Sequence, residues 1–198
     1  NTDKLKNAVT AELHTGRTDT LDVPVDSREG ADIKADDLKD IDTVLSYYTT
    51  HFDDTNPDRN VNIRLAQKRL NHAVVMAQKD FSFNKYVGTR TPDKGYKQAP
   101  SYFENKLEQS TGGGVCQVST TLFNAALRAG LFIASREPHF APAAYVPVGM
   151  DATVADDGLD FAFTNPFQHP GLRLYRRRSE YGDDVYPGQS RRYVQCVL

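Results

Sequence analysis

Three consecutive glycines, Gly112-Gly113-Gly114, run directly into a stretch whose apolar residues Val118, Leu122, Ala125, Ala126 and Ala129 recur at three- and four-residue intervals. That spacing lines one face of an α-helix and predicts a buried helix over about 115–129. The glycines ahead of it carry no Cβ, so another group, a substrate carbonyl included, can come close to the main chain. Cys116 falls in the first helical turn, at the positive end of the helix dipole, where N–H groups without intrahelical partners favour a thiolate and lower a cysteine pKa. The same N–H groups suit an oxyanion hole. A cysteine on an apolar helix is also a common inert packing residue, and three glycines also make a plain tight turn against a sheet. The glycine-led approach favours the nucleophile, since a packing thiol has no need of so entropically costly an entry.

Elsewhere the pattern predicts a framework for this helix. Leu5, Val9 and Leu13 predict an N-terminal helix over 1–16, stopped by Gly16. Thr20 to Val25 alternates as a strand before a polar loop over 26–32. Leu38, Ile41, Val44 and Leu45 predict a helix over 35–48, Pro57 a turn within a loop over 53–59, and Ile63, Ala66, Leu70, Ala73 and Val74 a helix over 62–76. Short strands and turns follow around Phe81-Ser82-Phe83, punctuated by Gly88, Pro92, Gly95 and Pro100. After the central helix, strands are expected over 131–134, 144–148, 152–154, 159–163, 171–175 and 192–197. The class is α+β: mainly antiparallel sheet packed on a buried helix, with a helical N-terminal segment.

Composition narrows the function classes. A hydrophobic fraction of 39% with 25% charged residues is that of a folding globular chain, not a disordered tail. A net charge of -2 and a pI near 6.2 leave no basic footprint for nucleic acid. The cluster Arg176-Arg177-Arg178, with Arg173, Arg191 and Arg192, is interrupted by Glu180, Asp183 and Asp184 and reads as a solvated strand face. No run reaches the 18 apolar residues of a membrane span, so direct insertion by this stretch is not expected. The chain opens on Asn1 without the features of a signal peptide, and it reads as an excised fragment, so the absence of a targeting signal says nothing of its location. Cys116 and Cys196 are too few for a disulfide scaffold and lack zinc spacing, so no metal is expected. A disulfide between the two is conceivable and would inactivate the oxidised protein.

A thiol nucleophile needs a base and a group to orient it. His139, in Arg136-Glu137-Pro138-His139 ahead of the strand-like Ala144-Tyr145-Val146-Pro147, is the leading base, with a surface-loop histidine as the alternative. His14, His51, His72 and His169 sit in polar, turn or packing contexts and read as structural. Asp151 would orient the imidazole or bind a substrate amine, and it would equally cap a turn. Arg136, Tyr145 and Gln117 are candidates to line a substrate cleft, beside Gly113 and Gly114. Ser119 or Thr120 would donate to a substrate carbonyl, although capping of the helix start explains their hydroxyls as well. Arg59-Asn60-Val61-Asn62-Ile63 reads as a structural motif whose polar groups tie down a helix start.

These residues carry a resemblance. Phe81-Ser82-Phe83-Asn84, Val87-Gly88, Gly95-Tyr96, the block Gly112 to Leu122, Tyr145-Val146-Pro147 and Asp151-Ala152-Thr153-Val154 resemble the signature of the VanW family over roughly residues 41–175. The glycine–cysteine block is its most specific part. Residues 1–40 resemble the end of the peptidoglycan-binding domain that often precedes VanW domains, which leaves 41–198 as the VanW-like domain. The resemblance implies an extracytoplasmic protein, in the cell wall or anchored to the membrane through a region outside this chain. It also implies peptidoglycan stem peptides as partners and L,D-transpeptidation through a cysteine thioester, with no cofactor. A cysteine endopeptidase or amidase and a non-catalytic peptidoglycan- or glycopeptide-binding module are the rival readings. Glu137 and Phe140 beside His139, and Met150 before Asp151, depart from the family's usual pattern, whereas the block around Cys116 does not. Ordinary L,D-transpeptidases keep their histidine close before the cysteine in a different motif, so their catalytic pattern does not carry over.

Overall fold

The computed structural model describes residues 2–16, 33, 34, 36, 38, 39, 41–103, 106–168, 172, 173 and 192–197. The chain divides into two compact units, Asn1–Ala35 and Asp36–Leu198. In the first, helix α1 (Thr2–Thr15) forms as its four-residue apolar spacing predicts, although it buries none of its residues. The strand expected over 20–25 and the loop over 26–32 lie outside the described residues.

The second unit is built around α4 (Val115–Arg128), whose Val118, Leu122, Ala125 and Ala126 are completely buried. Full burial of a side chain such as Leu122 contributes roughly 1.5–3 kcal/mol. Against α4 pack α2 (Pro57–Leu70), β1 (Tyr47–Phe52), β9 (Arg192–Val197) and β6 (Phe132–Ser135). The sheets are small, and every pair among the described strands is antiparallel. β1 pairs with β9, β2 (Val74–Val75) with β8 (Leu172–Arg173), and β4 (Gln98–Phe103) with β5 (Lys106–Thr111). β3 (Asp80–Ser82), β7 (Ala162–Thr164) and β6 lie in that order in a three-stranded sheet. Phe81 stacks on Phe163 at 4.7 Å, and Phe123 of α4 meets Phe161 edge-on at 5.8 Å, which welds the central helix to that sheet. A five-residue helix, α3 (Phe83–Val87), completes the unit. The architecture is α+β, antiparallel sheet on a buried helix.

Four local expectations are corrected. Residues 41–46 are irregular and β1 starts at Tyr47, so the helix expected over 35–48 does not form there. Val44 and Leu45 are 53% and 45% exposed, and an apolar stripe that meets no core cannot hold a helix. α2 begins at Pro57, inside the expected loop, because the Asn56 side chain accepts from Arg59 N at 2.9 Å and proline suits the first helical position. It ends at Leu70, and His72 adopts φ +68° just beyond it, outside any helix. Residues 144–148 form turns, not a strand, and 152–154 contribute a single bridge, Glu137 to Thr153. Of the strand expected over 171–175, the described part is Leu172–Arg173.

Candidate active site

Two of the three glycines have separate mechanical duties. A Cβ on Gly113 would stand 2.4 Å from the Ala99 carbonyl oxygen and 2.8 Å from that of Pro100, so glycine here lets the loop lie flat on β4. Gly114, at φ +100°, is the N-cap of α4, and a Cβ there would meet Arg59 Cγ at 2.7 Å. Asn62, fully buried, donates to the carbonyls of Lys97 and Gly113 at 2.9 and 3.0 Å and accepts from Lys97 N at 2.8 Å. It thus ties α2 to the glycine loop. The glycines therefore serve close packing, and the expected approach of a substrate to the main chain is not what requires all three. The amides of Gly113, Val115 and Gln117 donate to Ser110, Gly112 and Gly114. Those of Gly114 and Cys116 have no acceptor among the described residues.

Down one side of α4, at positions 116, 119, 120 and 124, runs a polar stripe that docks the segment Met150–Val154. Ser119 Oγ donates to Ala152 O at 2.7 Å, Thr120 Oγ1 accepts from Ala152 N at 3.0 Å, and Asn124 Nδ2 donates to Met150 O at 2.7 Å. Cys116 Sγ lies 3.4 Å from Val154 O. Backbone groups that would otherwise be buried without partners are satisfied in this way, and Asp151 is delivered to the helix start. Its carboxylate accepts from His139 N at 2.5 Å, from His139 Nδ1 at 2.6 Å and from an Arg136 Nη2 at 3.2 Å. Arg136 also donates to the carbonyls of Asp151 and Gly149 and lies over the Phe123 ring. With Nδ1 given to Asp151, Nε2 is the ring nitrogen left for the Cys116 thiol, close enough for the ionisation of each to act on the other.

These contacts set the ionisation. Burial opposes a charge on Cys116, but the hydrogen bond and charge of His139, helped by Arg90, outweigh it and hold the thiol below its ordinary pKa. Burial likewise opposes a charged His139, and Cys116 and Asp151 together raise it above the ordinary imidazole value. Asp151, against the effect of burial, is held low by the N–H groups of His139. The three groups thus favour a thiolate–imidazolium pair backed by a carboxylate. Cys116 is partly exposed, whereas Cys196 is buried and its thiol is pushed up to about 12 by desolvation. Burial and the neighbouring sulfur keep the Tyr145 phenol protonated well above the ordinary range, against the opposing influence of Thr120 and Arg59.

Cys116, His139, Asp151, Arg136 and Tyr145 are thus brought together. Gln117 and Ser119 face inward instead. Gln117 is 1% exposed, and its amide is used by Thr50 Oγ1, His51 O and Arg59. Ser119 is fully buried, and Gly113 lies against β4, so none of the three is open to a substrate. Arg59 reaches the site although its motif reads as purely structural. Nothing local distinguishes it, because it arrives from another helix, 58 residues before its partner Gln117. Among the described residues, no group of three or more His, Cys, Asp or Glu side chains is arranged to hold a metal ion, and no helix is long and apolar enough to cross a membrane.

Comparison with known proteins covers this same region. The family described as VanW like protein matches residues 58–178. The uncharacterized protein YoaR of Bacillus subtilis is 46% identical over 141 residues, 71% of this chain and 46% of that protein. The vancomycin B-type resistance protein VanW of Enterococcus faecalis is 31% identical over 134 residues, 65% of this chain and 49% of that protein. The chain therefore spans about half the length of the curated relatives it matches. No solved structure matches it.

Proposed function

Because this chain belongs to the VanW family, we propose that it is a cell-wall L,D-transpeptidase that forms 3-3 peptidoglycan cross-links through a thioester on Cys116. The observation that carries the reading is the hydrogen-bonded series His139, Asp151, Arg136 set beside the Cys116 thiol at the N-terminus of α4. A relative named for vancomycin resistance supports the cell-wall setting. The proposed location is extracytoplasmic, in contact with peptidoglycan stem peptides.

The Cys116 thiolate attacks the carbonyl carbon of the third stem residue, and the carbonyl oxygen becomes an oxyanion. The amides of Gly114 and Cys116, without an acceptor among the described residues, are the donors available to it. As the tetrahedral intermediate collapses, the bond to the terminal D-alanine breaks, and its nitrogen takes the proton from His139 Nε2. The side-chain amine of a second stem then attacks the thioester, His139 accepts the proton released, and the thiolate departs. Asp151 keeps the imidazole in one orientation and steadies its charged form throughout. Tyr145, protonated and close to the sulfur, is placed to hydrogen bond to the bound peptide. This chemistry runs on side chains and main-chain amides and calls for no cofactor.

Purified disaccharide-tetrapeptides incubated with the protein and with Cys116→Ala, followed by mass spectrometry, test the reading. Dimers lacking one alanine, formed by the unsubstituted protein alone, are expected. Shortened monomers without dimers would make it a hydrolase, and inertness with retained binding a non-catalytic module.

A further inference from the structure

We propose that Arg59 forms a carboxylate-binding site beside Cys116 and reads the free C-terminal carboxylate of the acyl donor. The inference deepens the transpeptidase reading and rests on it for the identity of the donor. The existence of an anion site next to the sulfur stands on geometry alone.

Arg59 projects from the first turn of α2 across Gly114, its Nε 3.3 Å from where a Cβ on that glycine would stand. The missing side chain is what allows the guanidinium to reach the N-terminus of α4. There Nη2 donates to Gln117 Oε1 at 2.7 Å. The Gln117 amide cannot turn over, because its nitrogen already donates to Thr50 Oγ1 and to His51 O at 3.0 Å each. One edge of the guanidinium is therefore clamped by a buried, rigid acceptor. Arginine presents five N–H donors in a planar fork suited to bidentate carboxylate binding.

Among the described residues no carboxylate forms an ion pair with the guanidinium. Arg90 and Arg136, the other arginines near the thiol, meet Asp156 at 2.6 Å and Asp151 at 3.2 Å. Burial opposes the charge of Arg59, and Tyr145, Asp53 and the Cys116 sulfur itself support it. An arriving carboxylate would offset more of the desolvation cost of this partly buried cation, and such a group at a helix N-terminus next to a nucleophile is suited to an anionic ligand. In an acyl donor with one residue after the scissile bond, the terminal carboxylate lies one residue length from the carbonyl, roughly 3.5 Å of chain. Arg59 crosses Gly114, two residues before Cys116, and one leaving residue bearing a free carboxylate is the donor we assign to it.

The test uses paired alkylating agents of nearly equal size, iodoacetate and iodoacetamide. Each gives up iodide to the Cys116 thiolate and forms a thioether. Taking the ratio of their rates cancels the thiolate fraction. A ratio at least about tenfold above that of a free small thiol is expected for the unsubstituted protein, falling towards the free-thiol value in Arg59→Gln and partly retained in Arg59→Lys. N-acetyl-D-alanine, but not its C-terminal amide, should slow alkylation by iodoacetamide, a measurement that needs no variant. A ratio no higher than that of the free thiol, or one unchanged in Arg59→Gln, overturns the proposal. Arg59-dependent selectivity in a protein that does not turn over tetrapeptides would keep the anion site and remove the transpeptidase. Turnover with a donor KM unaffected by Arg59→Gln would do the reverse.

Discussion

Replacing Asp151 by asparagine tests the electrostatic core of the site. In the structure the carboxylate receives three donors, two of them from His139 at 2.5 and 2.6 Å. Asparagine retains an acceptor for His139 but loses the charge, and it presents either an amide N–H or a neutral oxygen to Arg136. A charge-assisted hydrogen bond contributes roughly 1.5–3 kcal/mol. Part of this is offset because the asparagine oxygen still accepts from the ring. A net loss of about 1.4 kcal/mol is one pH unit. The imidazolium of His139, which Asp151 holds above its ordinary value, should therefore lose its proton about one unit lower in pH. The assay is the His139 imidazole resonance by NMR as a function of pH, beside the rate of Cys116 alkylation by iodoacetamide with the modified peptide quantified by mass spectrometry. In Asp151→Asn the acid limb of alkylation should stay in place or move to slightly lower pH, because the thiol ionises beside an imidazolium in both proteins and a carboxylate that repels the thiolate has gone. Cys196, buried and with its pKa pushed up, serves as the internal control. A His139 midpoint that stays in place, or moves to higher pH, would refute the claim that Asp151 stabilises the imidazolium.

Four further outcomes are expected. Gly113→Ala drives a methyl group into main-chain atoms at 2.4 and 2.8 Å and should cost about 3 kcal/mol in chemical denaturation. Gly130→Ala, at φ +72° in open space, should cost only about 1–2 kcal/mol of backbone strain and leave Cys116 reactivity intact. Ser119→Ala removes the 2.7 Å bond to Ala152 O and should lower stability by about 1–3 kcal/mol while lowering the pH at which His139 loses its proton, because Asp151 is less firmly delivered. The low pKa of the Asp151 carboxyl stabilises the fold fully above its unfolded value of about 3.9, and this is lost as pH falls through the folded value. Thermal melts of Asp151→Asn and the unsubstituted protein should thus differ by a constant amount above about pH 5 and converge in stronger acid; a gap that persists at low pH would contradict the assignment.

Helices α1 and α4 are legible from apolar spacing alone, because helix formation depends on partners three or four residues away. The same logic misleads over residues 35–48, where a helical spacing meets no core and Tyr47 and Tyr48 instead pair with Val197 and Cys196. It also misreads Ser119 and Gln117. Their types suit a substrate contact, but helix rotation turns both into the interior, where Ala152, Thr50 and His51 use them.

What the chain states locally is a cysteine in the first turn of a glycine-led helix, with a histidine and an aspartate downstream whose residue types suit a base and its orienting group. Tertiary structure alone decides that His139 and Asp151 lie against that turn, that the Ser119, Thr120 and Asn124 stripe carries them there, and that Arg59 arrives from α2 to meet Gln117. The division is physical. Backbone periodicity and dipole are properties of a few adjacent residues, whereas hydrogen bonds between residues 12 to 58 positions apart exist only once packing has brought the segments together.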